Sequence, residues 1–343
     1  MPIGVIGSGS FGMAIALLLQ ENTDVLIYTR NVETAQAINA THSLNGIALG
    51  ENVKATTDAK EVCEKCLLIM PMVPSGFFRE TIRLFAPYLK PHHLVIHGTK
   101  GLDLVGISEE ELTKVRKCTR ANVRTMSEVI AEETSVIRIG CLSGPNLAKE
   151  LIEKQPGATL IASKFDEVID AGQKVLGSKR FHVFGSYEIL GVELAGALKN
   201  IIALGSGILG GKKLGRNLQA MLISRGLTEM ISLGAKLGAS NKAFLGTAGI
   251  GDLVATATST DSRNYKFGMR LANGEKLDDI IASEKEIAEG VRTLRITYKL
   301  AKSYRLHLPI IQRMYLMVFE NYDIDKAIEY LMEYPYDVDV DFV

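Results

Sequence analysis

Ile3-Gly4-Val5-Ile6 runs directly into Gly7-Ser8-Gly9-Ser10-Phe11-Gly12 and then into the apolar segment from Met13 to Gln20, which leaves few folds open to this chain. A short apolar strand that turns on G-x-G-x-x-G into a helix is the opening of a dinucleotide-binding βαβ unit. The first glycine permits the tight turn, the second lets backbone N–H groups approach a pyrophosphate, and the third lets helix and strand pack closely. The helix N-terminus adds unpaired donors and a partial positive charge. Gly7, Gly9, Ser10, Phe11 and Gly12 are therefore candidate cofactor contacts.

The second strand, Val25-Leu26-Ile27-Tyr28, should end beside an adenosine ribose. An NAD-selective site usually has an acidic residue there, whereas this chain has Thr29-Arg30-Asn31. Arg30 can stack on adenine or pair with a 2′-phosphate, which makes NADPH as plausible as NADH, or it can be a surface residue opening the next helix. Further strands are read at Leu67–Met70, Leu94–Gly98, Val136–Cys141, Ala158–Ala162 and Phe181–Phe184. Their nearly continuous apolar character fits a central sheet covered on both faces. Polar turns follow three of them: Met72-Val73-Pro74-Ser75, Gly98-Thr99-Lys100-Gly101 and Ser143-Gly144-Pro145-Asn146. Open α/β sheets bind ligands at such carboxyl edges, so Lys100 can reach a phosphate or substrate oxygen, though a loop lysine is as easily solvated.

From Tyr187 onward the pattern changes to helical segments rich in small residues, read at 189–210, 217–238, 241–248, 276–283, 286–304, 308–320 and 324–333. The chain therefore divides into a Rossmann-type α/β domain over 1–186 and a mainly α-helical domain over 187–343. In the helix around Gly191-Val192-Glu193-Leu194-Ala195-Gly196-Ala197-Leu198-Lys199-Asn200, a lysine among small apolar residues is partly desolvated, which lowers its pKa and eases proton exchange. The alternative is a lysine that snorkels to the surface. Gly249-Ile250-Gly251-Asp252 supplies a carboxylate to balance it, and Ser262-Arg263-Asn264 supplies a hydroxyl, a guanidinium and an amide suited to phosphate, or else an N-cap turn with an exposed arginine. The charges at Glu109-Glu110-Glu111, Lys114, Arg116 and Lys117 fit an exposed helix face, and Asp337, Asp339 and Asp341 a solvated tail.

Composition narrows the partners. Lysine plus arginine equals aspartate plus glutamate at 39 each in 343 residues, so no global field favours nucleic acid or membrane lipid. A strand beginning at residue 3 leaves no room for a targeting peptide, and no apolar run reaches the length of a membrane span, so a cytoplasmic protein without membrane insertion is expected. Cys63-Glu64-Lys65-Cys66 has the spacing of a redox or zinc half-site, but Cys118 and Cys141 form no second pair, so no metal is expected.

Over essentially its whole length the chain resembles the bacterial NAD(P)-dependent sn-glycerol-3-phosphate dehydrogenase family. The segments that carry the resemblance are Gly7–Gly12, Val73-Pro74-Ser75, Thr99-Lys100-Gly101, Ser143-Gly144-Pro145, Gly191–Leu194, Gly196–Asn200, Gly249–Leu253, Ser262-Arg263-Asn264 and Glu289-Gly290, in this order. The resemblance implies reversible NAD(P)H-dependent reduction of dihydroxyacetone phosphate to sn-glycerol 3-phosphate, feeding glycerophospholipid synthesis. It also implies a helical domain like the C-terminal domain of 6-phosphogluconate dehydrogenase, and a homodimer. By the same resemblance Lys199 is the proton-transfer residue, and Lys100, Gly144, Asn146, Asp252, Ser262, Arg263 and Asn264 are substrate contacts. Ser10, Phe11, Arg30, Lys100, Ala148, Arg263, Ile287 and Glu289 match nucleotide contacts, and the substrate is expected between the two domains.

The chain departs from the family pattern in three places. Asn146 stands where a hydroxyl residue is usual, Thr247 and Ala257 replace a leucine and a cysteine, and the segment between Lys100 and Ser143 is longer than usual, which bears on the active-site rim or a dimer contact. Two other readings share the fingerprint: a sibling two-domain dehydrogenase for a carboxylated or sugar substrate, and a non-catalytic NAD(P)-binding sensor. The Ser262-Arg263-Asn264 cluster speaks against the first, and its coincidence with Lys199 and Asp252 against the second.

Overall fold

Alternation along the short buried strands determines the N-terminal architecture. The computed structural model of the chain describes residues 1–112, 114–283 and 288–335. Eight strands form one sheet: β1 (Ile3–Ile6), β2 (Val25–Tyr28), β3 (Val53–Thr56), β4 (Leu68–Pro71), β5 (Leu94–His97), β6 (Arg138–Ser143), β7 (Gly157–Ser163) and β8 (Phe181–Ser186). Their order is β8-β7-β6-β5-β4-β1-β2-β3. The six strands from β3 to β6 are parallel, in the 3-2-1-4-5-6 arrangement of a dinucleotide-binding sheet, and β7 joins β6 antiparallel with β8 parallel to β7. Register places Val5 between Ile27 and Met70.

Successive residues of these strands point to opposite faces, and each face has its own core. Val5, Ile27, Met70 and Ile96 belong to a cluster with the helix Ser10–Leu19, whereas Ile6, Leu26, Ile69 and Val95 belong to a second cluster with Val62, Phe78, Phe85 and Ile130. The sheet is thus covered on both sides, as its apolar strands require. β3 was absent from the sequence reading because Val-Lys-Ala-Thr is an edge strand with only Val53 and Ala55 buried.

The chain divides into two compact units, Met1–Asp103 with Thr125–Glu193, and Leu104–Arg124 with Leu194–Val343. The second unit is helical. Its long helices are Ile189–Gly211, which begins in the first unit, and Arg216–Lys236, followed by Asp252–Thr258, Arg263–Ala272, Leu277–Ser283, Glu289–Tyr304, Pro309–Phe319 and Ile324–Glu333. Small residues allow these helices to touch backbone to backbone: a Cβ on Gly268 would lie 2.0 Å from the Leu204 carbonyl oxygen. The helices at 252–258 and 263–272 are not among the helical segments that the sequence suggests, because glycine and Ser-Thr-Asp-Ser clusters bracket them.

One expectation is corrected here. The 23-residue helix Ile189–Gly211 is long and apolar enough to cross a membrane, yet 89% of its most apolar stretch is buried inside the protein. It also carries Glu193 and Lys199, so it is a core helix by placement rather than by composition. The segment Asp337–Asp341, read as a tail, lies outside the described residues.

Candidate active site

At the end of β1 the backbone itself makes the cradle. Gly7 has φ +114°, and a Cβ on Gly12 would lie 2.1 Å from the Gly7 carbonyl oxygen, so the turn closes only with glycine at both positions. Gly9 enters the helix Ser10–Leu19 in extended conformation with no side-chain cap, which leaves the first-turn N–H groups as donors for an anion. Strand order reverses between β1 and β4, the position where such sheets take their ligand. Exposed Ser10 and half-buried Phe11 lie on this turn, with the Phe11 ring pressed on Gly98. The residues present therefore fit a dinucleotide pyrophosphate. Arg30 leaves the end of β2 exposed, its guanidinium 5.9 Å from the centre of the Phe77 ring, and Asn31 caps the next helix by accepting from Thr34 N–H at 2.8 Å.

Beyond β5 and β6 two further groups assemble. Lys100 Nζ donates to the carbonyl oxygen of Gly144 at 2.9 Å. Asn146 Nδ2 donates to Thr159 Oγ1 at 2.8 Å, and Thr159 donates to the Ser143 carbonyl at 3.0 Å. Asn146 thus spends its donor inward, and its Oδ1 and the Ser143 hydroxyl have no hydrogen-bond partner among the described residues. Ala148 opens the short helix Ala148–Ile152 and packs against the core.

In the helical unit, Lys199 is 5% exposed and ion-paired to Asp252, itself 1% exposed. Lys199 Nζ also donates to Thr256 Oγ1 at 2.5 Å, while the Thr256 hydroxyl lies 2.7 Å from the Asp252 carbonyl oxygen. The lysine is desolvated as its helix implied, and it does not snorkel. The Asp252 carboxylate lies against the lysine nitrogen in this buried position. A π-helical turn at Thr247–Gly251 delivers Asp252 to this position, with a Cβ on Gly249 only 2.1 Å from the Phe244 carbonyl oxygen. Thr256, one turn after Asp252, was not singled out in the sequence; the i, i+4 spacing on a helix is the signal that could have found it.

The Ser262-Arg263-Asn264 trio is split by its own local structure. Ser262 caps the helix Arg263–Ala272 by accepting from Tyr265 N–H at 3.3 Å, Arg263 is exposed, and Asn264 is 7% exposed. Asn264 Oδ1 accepts from Gly290 N–H at 2.8 Å and its Nδ2 donates to Asn200 Oδ1 at 3.0 Å, so one amide N–H is left over among the described residues. Glu289 opens the helix Glu289–Tyr304, and Ile287 lies outside the described residues.

A cluster the sequence did not reveal lies at the end of β5. Buried Glu193 accepts from His97 Nε2 at 2.9 Å and from Ser127 N–H at 2.8 Å and Oγ at 2.5 Å. Burial pushes the Glu193 carboxyl up, but His97 and the two Ser127 bonds outweigh it and hold it below the usual carboxylate range. The pair joins residues 96 apart in sequence, so no local pattern announces it. Cys63 and Cys66 are buried at a helix end; burial pushes their thiols up to about 12 and about 11, respectively. Among the described residues no group of three or more His, Cys, Asp or Glu side chains could hold a metal ion.

Residues 2–169 match the family described as NAD-dependent glycerol-3-phosphate dehydrogenase N-terminus, and residues 188–329 match the corresponding C-terminus. A glycerol-3-phosphate dehydrogenase [NAD(P)+] of Saccharophagus degradans is 36% identical over 99% of this chain and 92% of its own length. That of Azotobacter vinelandii is 36% identical over 100% of this chain and 97% of its own. The crystal structure of glycerol-3-phosphate dehydrogenase from Coxiella burnetii superposes with a TM-score of 0.85 at 31% identity, covering 97% of this chain and 98% of the other.

Proposed function

This chain belongs to the NAD-dependent glycerol-3-phosphate dehydrogenase family, and from that premise we propose how its residues divide the work. It is an NAD(P)-dependent oxidoreductase that reduces dihydroxyacetone phosphate to glycerol 3-phosphate. NAD(P)H, when bound, supplies the hydride that C2 of the substrate receives. The turn Gly7–Gly12 holds the pyrophosphate on backbone N–H groups, and Arg30 lies toward the adenosine end. Lys100 and Gly144 hold substrate oxygens, and the free Oδ1 of Asn146 accepts from a donor on the ligand. Arg263, Ser262 and the remaining N–H of Asn264 receive the phosphate, whose oxygens match guanidinium donors in pairs. Ala148, Arg263 and Glu289 complete the nucleotide contacts.

Lys199 Nζ gives a proton to the C2 oxygen as the carbonyl becomes an alcohol, and in the reverse direction neutral Lys199 takes it back. Asp252 holds the ammonium in place and compensates its charge, and Thr256 fixes the rotamer. The burial of the Lys199–Asp252–Thr256 group is the observation that carries this reading, because a lysine held away from water against a carboxylate is poised for transfer rather than solvated. The phosphate trio favours a phosphorylated substrate over a carboxylated one.

We further assign the enzyme to a homodimer in the cytoplasm, with glycerol 3-phosphate passing to phospholipid synthesis. Oxidation of NADH and NADPH is followed with dihydroxyacetone phosphate and, as a control, unphosphorylated dihydroxyacetone. Oxidation that requires the phosphate is expected. Equal rates with both substrates, or none with either cofactor, would overturn the reading, and sedimentation of the purified protein as a monomer would overturn the dimer.

A further inference from the structure

The long segment after Lys100 leaves the first unit at Asp103 and re-enters it at Thr125, and its residues Leu104–Arg124 group with the helical unit. Its two ends pair as the ladder Asp103–Leu104 with Val123–Arg124. Between them, described residues of the segment fasten to the helix Glu289–Tyr304 near both of its ends. Near the helix start, Glu109 pairs with Arg292, whose side chain is only 12% exposed. Near the helix end, Cys118 N–H donates to Ser303 Oγ at 2.9 Å and Arg120 N–H donates to the Tyr304 hydroxyl at 2.8 Å. Eleven or twelve residues of helix, about 17 Å, separate the two fastenings.

The first turn of this helix is packed against the proposed phosphate site. Gly290 N–H donates to Asn264 Oδ1, and a Cβ on Gly290 would lie 2.6 Å from the Asn200 carbonyl oxygen, so no larger residue fits and no slack exists at the contact. Arg292 is two residues further along. A shift of that turn releases Asn264 Oδ1, and a released amide rotates its remaining N–H away from any phosphate.

We propose that Glu109 is a positioning residue for substrate binding: by holding Arg292 it fixes the first turn of Glu289–Tyr304, and through Gly290 the amide of Asn264. The inference rests on the reading of Asn264 as a phosphate contact. The segment thereby carries a carboxylate to the start of that helix, beside the Gly290–Asn264 hydrogen bond.

The test is a double-mutant cycle in the full-length enzyme, with KM, kcat and the thermal midpoint measured for Glu109→Gln, Arg292→Gln and the pair. Loss of a half-buried ion pair is expected to raise the KM for dihydroxyacetone phosphate about fivefold with kcat nearly unchanged, and, because Glu289 opens the same turn, to raise the KM for the nucleotide by a smaller factor. The double variant should be no worse than Arg292→Gln alone, because the Glu109 carboxylate has no guanidinium left to hold once Arg292 is replaced. Glu109→Asp should recover part of the effect. Single variants that lower the thermal midpoint while leaving KM untouched would reduce the segment to a cover and overturn the proposal, as would effects that multiply in the double variant. A wild-type enzyme that ignores the substrate phosphate would instead remove the reading on which the inference rests.

Discussion

Replacing Lys199 by methionine should damage this enzyme twice, and a second substitution should repair only one of the injuries. Methionine keeps the length of the side chain but leaves the Asp252 carboxylate, 1% exposed, without its ammonium. Breaking a buried pair by removing one partner costs about 3–5 kcal/mol. For a unit of this size each kcal/mol moves the thermal midpoint by about 2–4 °C, so a fall of roughly 6–20 °C is expected. Loss of the general acid should lower turnover by about 100- to 10,000-fold. Adding Asp252→Asn converts the stranded carboxylate to a neutral amide whose Oδ1 can still accept from Thr256, so most of the thermal stability should return while turnover stays low. Thermal unfolding and initial rates of nicotinamide oxidation separate the two effects. Turnover of Lys199→Met within tenfold of wild type, or recovery of turnover together with stability in the double variant, would refute the assignment of proton transfer to Lys199.

Three further outcomes are expected. Arg30→Ala should lower kcat/KM for NADPH about tenfold more than for NADH if its guanidinium meets a 2′-phosphate, and an unchanged ratio would leave it as a surface residue stacked on Phe77. Glu229 is buried and accepts from the N–H groups of Ile310 and Ile311 at 2.6 and 3.0 Å, and burial pushes its carboxyl up from about 4.5 to about 8 against those bonds. A folded value above the unfolded one means its contribution to stability is intact below about pH 4.5 and lost as pH rises through about 8, so wild type should lose thermal midpoint relative to Glu229→Gln across that window; parallel profiles would show that the two N–H groups dominate. Cys63 and Cys66, with thiols pushed up to about 12 and about 11, should alkylate on the order of 100-fold more slowly in the native protein than in denaturant, and rapid native alkylation would reopen a redox role.

Much of the fold was legible because its signals are local. The fingerprint at 7–12 needs only six adjacent residues, and β1, β2 and β5 were found within a residue of their ends because short, mostly apolar runs buried at all four positions admit little else. β3 escaped because half of it is solvated, and the helices at 252–258 and 263–272 escaped because the Gly249-Ile250-Gly251 turn and the Ser259–Ser262 cluster read as loop. The π-helical turn that aims Asp252 inward has no sequence period of its own. For the helix Ile189–Gly211 length and apolar content alone do not decide, since only tertiary packing distinguishes a core helix from a spanning one. At the site, Lys199 and Asp252 could be paired from their residue types, but the inward turn of the Asn146 amide and the Glu193–His97 pair depend on contacts that no spacing encodes.

The excursion of residues 104–124 has a further consequence, in the order in which the protein is made. Cys118 and Arg120 find their partners 185 and 184 residues later in the chain. At ribosomal speeds of about 5–20 residues per second, the segment waits roughly 10–40 s for Ser303 and Tyr304 to be synthesised. During that interval the strands on either side of it, β5 and β6, can already pair, while Leu112 and the Cys118 thiol, both 0% exposed in the finished protein, stand uncovered. A piece of the helical unit is therefore synthesised within the Rossmann unit before its own core exists, and the burial of Leu112 and Cys118 has to wait for that core.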